Sequence, residues 1–216
     1  MGTQSVAWWH DAGVESGRRT RFTGEICGFG TSRGHRIIVG RWPDSPFGEF
    51  TDVMHEAPDG TRTLLAPTDT VAEFVSATYT FDHIRIVPVV SSRTTDALAI
   101  DAGPISATVT FGRRSPTGWL LRVVPRRVAR STSWCTAIDP VARVVMRGVR
   151  TRGTAGNGRR EWYGATDAHL VESITCTVDG ADAGPLADVW PPVRFGFGST
   201  PRVPMVVAVT TMILES

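Results

Sequence analysis

The stretch Ser45–Pro67, SPFGEFTDVMHEAPDGTRTLLAP, restricts the fold more than any other part of this chain. Two runs of strand-forming residues flank Pro58-Asp59-Gly60-Thr61. Asp-Gly is a strong short-range hairpin signal, because a two-residue turn of the primed type needs φ > 0 at both central positions. A loop at Asp59-Gly60 predicts that Met54 lies opposite Leu65 and His55 opposite Leu64. One face then carries Phe50, Asp52, Met54, Thr63 and Leu65, and the other Val53, His55, Leu64 and Ala66. Asp52 falls between Phe50 and Met54 on an otherwise apolar row. These letters name no reaction; they predict a kind of fold and the places where polar groups interrupt apolar faces.

Along the rest of the chain, short alternating runs of Val, Thr and Ile separated by Gly and Pro predict a mainly β protein. With 216 residues and no strong linker, positions 1–216 are read as a single domain with an N-terminal tail at 1–20. Trp8, Trp9 and His10 in that tail read as a plug over the domain's end. Strands are expected around 21–28, 35–42, 84–90, 97–100, 105–111, 118–124, 161–163 and 169–178. Asp179-Gly180 gives a second hairpin turn, and the apolar run 203–214 a strand buried on both faces. Thr68 or Asp69 caps a short helix near 69–79 with Val71, Phe74 and Val75 at helical spacing. A helical insertion near 126–147 restarts at Asp139-Pro140 and stops at Gly148. The GFG at 28–30 is echoed at 196–198, each before a strong strand; chance is one reading, and closure of a barrel by the first and last strands is the other. The resulting fold class is mainly β (α+β by content), an antiparallel β-barrel or strongly curved sheet with these two helical pieces.

Composition excludes some chemistry. All 23 basic residues are arginine, so a lysine Schiff base is not available to the chain. Cys27, Cys135 and Cys176 are odd in number and lack zinc spacing, which suits buried thiols in a reducing compartment. The N-terminus lacks the pattern of a secretory signal, and the longest apolar run is too short to span a bilayer as a helix. A cytoplasmic protein is expected.

Charges that break an apolar alternation are the candidate functional residues: Asp52; Glu172, on the row Leu170, Ile174, Cys176; Arg122, between Leu120 and Val124; and Arg85, beside Val87 and Val89. A lone buried charge costs several kcal/mol, so such groups are paired or solvated. Solvated faces, a structural network and the polar lining of a ligand cavity all satisfy that rule. In the cavity reading, Asp52 and Glu172 are acid/base candidates, and Arg85, Arg122, Phe50, Met54 and His55 are ligand-binding candidates. His169, near Tyr163 and Asp167, reads as turn chemistry before a strand. No histidine pattern suggests a metal, GxSxG is missing, and GFG is no phosphate loop, so no cofactor is expected.

Twelve arginines stand against one acid, Asp139, between Arg113 and Arg160, which gives this Arg-rich insertion +11 and leaves the remainder at −9. Pairing with the chain's own acids or with a second copy is the leading reading, ahead of an anionic ligand or a membrane surface. Stacking aromatics and known reader motifs are absent, which argues against nucleic acid.

The hairpin stretch, with VAEFVSATYTFD, REWYGATDAH and VRFGFGSTPR, resembles an uncharacterised family of β-rich proteins from GC-rich actinobacteria, over most of residues 24–210. By architecture alone the chain is similar to lipocalin-like barrels and, more loosely, to the acetoacetate decarboxylase superfamily. That decarboxylase mechanism depends on a lysine, which this chain lacks. The expected function is binding of a hydrophobic small molecule with a polar or anionic group inside a β-barrel. Two alternatives stand beside it: a cofactor-independent cyclase, isomerase or hydratase using a buried carboxylate, and an interaction protein docking through its basic face.

Overall fold

A computed structural model describes residues 19–145, 152–154, 160–196 and 200–214. The first half holds β1 (Arg19–Thr31), β2 (Arg36–Asp44), β3 (Phe50–Glu56), β4 (Arg62–Ala66), α1 (Asp69–Ser76), β5 (His83–Ile86), β6 (Val90–Arg93), β7 (Ala97–Ala102) and β8 (Ile105–Arg114). Three helices follow, α2 (Pro116–Val123), α3 (Arg126–Ala129) and α4 (Thr132–Val145). The chain then returns to strands β9 (Arg152–Thr154), β10 (Arg160–Val178), β11 (Ala181–Asp182), β12 (Leu186–Ala187) and β13 (Met205–Leu214). The tail with Trp8, Trp9 and His10, and the Phe197-Gly198 half of the glycine echo, lie outside the described residues.

The thirteen strands form one sheet, ten of them in the order β5-β4-β3-β2-β1-β13-β10-β8-β7-β6, with β9 and β11 paired to β10 and β12 to β1. Every pairing is antiparallel except β4 with β5, where α1 makes the crossover a parallel pair requires. The first and last strands do meet, from Arg19 opposite Leu214 to Gly28 opposite Met205, but they meet in the middle of the sheet. The edges are β5 and β6, joined by the short link 87–89. The sheet curls until β6 lies over β1 and β3, where Arg93 Nε meets Glu25 Oε1 at 2.9 Å and the Ser91 and Thr51 hydroxyls lie 2.7 Å apart. Cys27, Phe29, Val53, Leu98 and Val109 fill the inside of this curl and are fully buried.

Two hairpins show how turn chemistry sets register. At Asp179-Gly180 both residues take positive φ (49° and 77°) and Val178 pairs with Ala181, the expected two-residue turn. At Asp59-Gly60 only Gly60 does (φ 91°), and the Ala57 N–H donates to the Thr61 carbonyl across a three-residue loop. Pro58 holds φ negative at the loop's start, so the left-handed step falls on the glycine. The register therefore differs by one from the expected one: Met54 faces Leu64 and His55 faces Thr63. Every β4 side chain changes face, so that Leu64 and Ala66 join Phe50 and Met54, while Leu65 joins Val53.

The strand expected over 118–124 is instead helix α2. Ser115 Oγ accepts from Gly118 N–H at 2.9 Å and Pro116 fills the first helical position, a start signal that outweighs the apolar alternation. Helix α1 falls where the sequence puts it, and α3 and α4 lie within the expected 126–147 segment, but the break comes at 130–131: α4 runs unbroken through Asp139-Pro140, where a fresh start is expected, and Gly148 lies outside the described residues. All three cysteines are buried free thiols.

Candidate functional site

The face of the sheet opposite the packed curl is built from alternate residues of five neighbouring strands. Phe22 and Ile26 of β1, Ile38 and Trp42 of β2, and Phe50, Asp52 and Met54 of β3 point to it, as do Val207, Thr211 and Ile213 of β13 and Glu161 and Tyr163 of β10. Together with α1, α2–α4 and Val193, Phe195, Thr200 and Pro201 they line a cavity of about 370 Å³. That volume suits a small molecule.

Asp52 is 2 % exposed on this wall. Trp42 Nε1–H donates to its Oδ1 at 3.1 Å. The neighbouring strand makes room for the pair at Gly40, which stands opposite Asp52 in register: a Cβ there would come within 2.6 Å of Trp42 Nε1 and 2.7 Å of Asp52 Oδ1. Burial pushes the Asp52 carboxyl up to about 7, with the indole bond and its own N–H pulling the other way.

A second polar group lies across the cavity. The Tyr163 hydroxyl donates to Glu161 Oε2 at 2.8 Å, and the Tyr79 and Tyr163 hydroxyls are hydrogen-bonded to each other. A phenol has one proton, so with Tyr163 donating to Glu161, Tyr79 donates to Tyr163 and keeps acceptor lone pairs of its own. Burial foremost, with the Glu161 charge, raises both phenols above their usual range. The hydroxyls of Thr78 and Thr211 also reach the wall and have no hydrogen-bond partner among the described residues.

The structure brings together three of the residues singled out from sequence, Asp52, Phe50 and Met54, and separates the other four. Glu172 is exposed, because pairing of β10 with β8 slips on both sides of Val171 and the extra residues throw the alternation out of phase. Arg85 is exposed on edge strand β5, and Arg122 is exposed on α2. His55 is buried on the opposite face from Asp52; its Nε2 lies 2.9 Å from His35 Nδ1, and burial lowers it to about 4. His169 sits inside β10 rather than in a turn, with Nδ1 3.2 Å from the Gly112 carbonyl oxygen.

Trp42, Tyr79, Tyr163 and Glu161 were not anticipated. Glu161 and Tyr163 are two apart on a strand and so share a face, which the sequence did offer; that this face meets Asp52 it did not. In the Arg-rich segment, Arg114 pairs with Asp167 at 2.7 Å, whereas Arg122, Arg126 and Arg127 are exposed beside the apolar Trp119 and Val123. Among the described residues no three His, Cys, Asp or Glu side chains cluster as metal ligands, and no helix is long and apolar enough to cross a membrane.

No protein-family profile matches this sequence, and no curated protein does. Among solved structures, the acetoacetate decarboxylase of Legionella pneumophila is similar at 10% identity and a TM-score of 0.42, over 93% of this chain and 86% of that one. A second structure of acetoacetate decarboxylase gives 11% identity and a TM-score of 0.40, over 92% and 85%. These likenesses assign no residue a role. They do not bear on the lipocalin resemblance or on an actinobacterial family.

Proposed function

We propose that this protein binds an apolar small molecule in the cavity beneath its helices and holds the molecule's polar group at Asp52. One observation carries the reading: an almost wholly buried carboxylate faces an apolar space of about 370 Å³ with no ion-pair partner among the described residues. A carboxylate with a purely structural task is normally met by a cation or by several donors, because its desolvation costs several kcal/mol. One indole donor leaves capacity for a guest. When Asp52 is ionised, it and the Tyr79 oxygen both accept, so the guest's polar group is then a hydrogen-bond donor rather than the anion expected from Arg85 and Arg122. Three buried thiols without a disulfide suit a reducing compartment such as the cytoplasm.

Titration with the apolar probe N-phenyl-1-naphthylamine tests this. Saturable fluorescence enhancement is expected, and it should be lost in Val207→Phe, which fills the cavity, with the circular dichroism spectrum kept. No saturation in the native chain, or equal binding by the filled variant, removes the proposal. Mass spectrometry of molecules that co-purify would then identify the natural guest.

An enzymatic reading is favoured by a different observation. A carboxyl held near 7 can both give and take a proton at neutral pH. A cofactor-independent isomerase, cyclase or hydratase would use Asp52 in that way, with Tyr79 orienting the substrate. Turnover of a co-purified compound, abolished in Asp52→Asn while the compound still binds, would select this reading over simple binding.

A further inference from the structure

We infer that the guest's polar group is a protonated amine on a hydrophobic skeleton, held by the Asp52 carboxylate among aromatic rings. This rests on the reading of the cavity as a binding site. Among the described residues that line the cavity there is no arginine or histidine, and Asp52 is a buried carboxylate that has one indole donor and no ion pair there. The proton of Tyr79 is directed to Tyr163 and that of Tyr163 to Glu161, so the fixed polar atoms turned to the cavity are acceptors. The Thr78 and Thr211 hydroxyls can rotate to serve either role.

Rings of Trp42, Phe50, Phe74, Tyr79, Trp134 and Phe195 form much of the remaining surface. Their faces carry partial negative charge and attract a cation once water is excluded. An alcohol or amide would satisfy one lone pair of Asp52 and leave its charge uncompensated. An ammonium group supplies three donors and a full positive charge, completing a charge-assisted pair with a buried carboxylate.

The pH dependence follows from the groups that face Asp52. Tyr79 is near it, with Tyr163 and Glu161 beyond, and the residues contributed by β1, β2, β13 and the helices are uncharged. An alkylamine stays protonated to about pH 10. The empty site holds the Asp52 proton up to about pH 7, so capture of the cation below that pH expels a proton. Affinity then falls about tenfold for each further unit of acidification, until the pH is low enough for the carboxyl to be protonated in the complex as well.

Calorimetry on the whole chain with 4-phenylbutylamine, 4-phenylbutanol, 4-phenylbutyrate and a matched methyl ketone, at pH 6 and 7.5 and in two buffers of different ionisation enthalpy, tests the inference. The amine is expected to bind at least about tenfold more tightly than the alcohol at pH 7.5. It should release a proton at pH 6, and Asp52→Asn should erase its advantage with the near-UV circular dichroism kept. Equal or tighter binding of the alcohol or the butyrate overturns the inference, as does amine affinity unaffected by Asp52→Asn. Preference for the ketone at low pH also overturns it, since Asp52 would then be the donor. Each of those results leaves the cavity occupied and the binding reading intact, whereas failure of every compound and of the naphthylamine probe removes both.

Discussion

Two buried carboxylates on β3, four residues apart, have opposite fates. Asp52 has an indole and a cavity; Glu56, fully buried, has Arg36 Nη2 at 3.3 Å, Arg194 Nε at 2.8 Å and the Arg194 backbone N–H at 2.8 Å. Removing Glu56 strands the buried Arg36 guanidinium, so Glu56→Ala should cost about 3–5 kcal/mol in denaturant unfolding. It should also speed hydrogen exchange at the Arg194 amide, because that amide donates to Glu56. Asp52 has the reverse sign. The folded chain holds its proton more tightly than the unfolded chain, from the ordinary 3.8 up to about 7, so its burial costs nothing below the lower value. The cost grows as pH rises through this window and reaches at most about 4 kcal/mol above it. Asp52→Asn keeps an acceptor for Trp42 and carries no charge. Relative to the native chain it should therefore gain stability between pH 4 and 7 and hold that gain at pH 8; a difference that does not change with pH would contradict the burial of this carboxyl.

At the scale of elements, short-range chemistry decided type and longer-range pairing decided phase. The Asp-Gly turns were both legible, but Pro58 moved one of them by a residue and exchanged the faces of β4. Gly60→Ala tests that loop: its φ of 91° strains any Cβ, and the added carbon would meet Arg194 Nη2 at 2.4 Å. A loss of about 1–2 kcal/mol is expected in urea unfolding. Glu172 and Arg122 failed as candidates for different reasons. A slip in β10 turned Glu172 outward, and no local residue type announces such a slip. For Arg122, the Ser115-Pro116 pair starts a helix, Pro116–Val123, where alternation alone predicts a strand over 118–124. Ser115→Ala should expose that start's worth, about 1 kcal/mol.

For the whole molecule, the sheet has two buried faces with different duties, and neighbouring residues of β13 separate them. Val206 belongs to the packed curl and Val207 to the cavity wall. Val206→Ala should cost roughly 1–3 kcal/mol by opening a hole in close-packed surroundings, while Val207→Ala, which enlarges an existing space, should cost less and admit bulkier probes. Equal costs would show that the two faces are packed alike. From the sequence alone came the mainly β fold, its turns, its two helical segments near 69–79 and 126–147 and the intrusion of Asp52 among Phe50 and Met54, because alternation, capping and turn residues act over a few positions of chain. Which face of the sheet is filled and which left hollow, and that Tyr79 and Glu161 meet the cavity of Asp52 and Trp42, only the tertiary structure decided. Strand order and curl bring together residues more than a hundred positions apart, and no local preference encodes which of them will face each other.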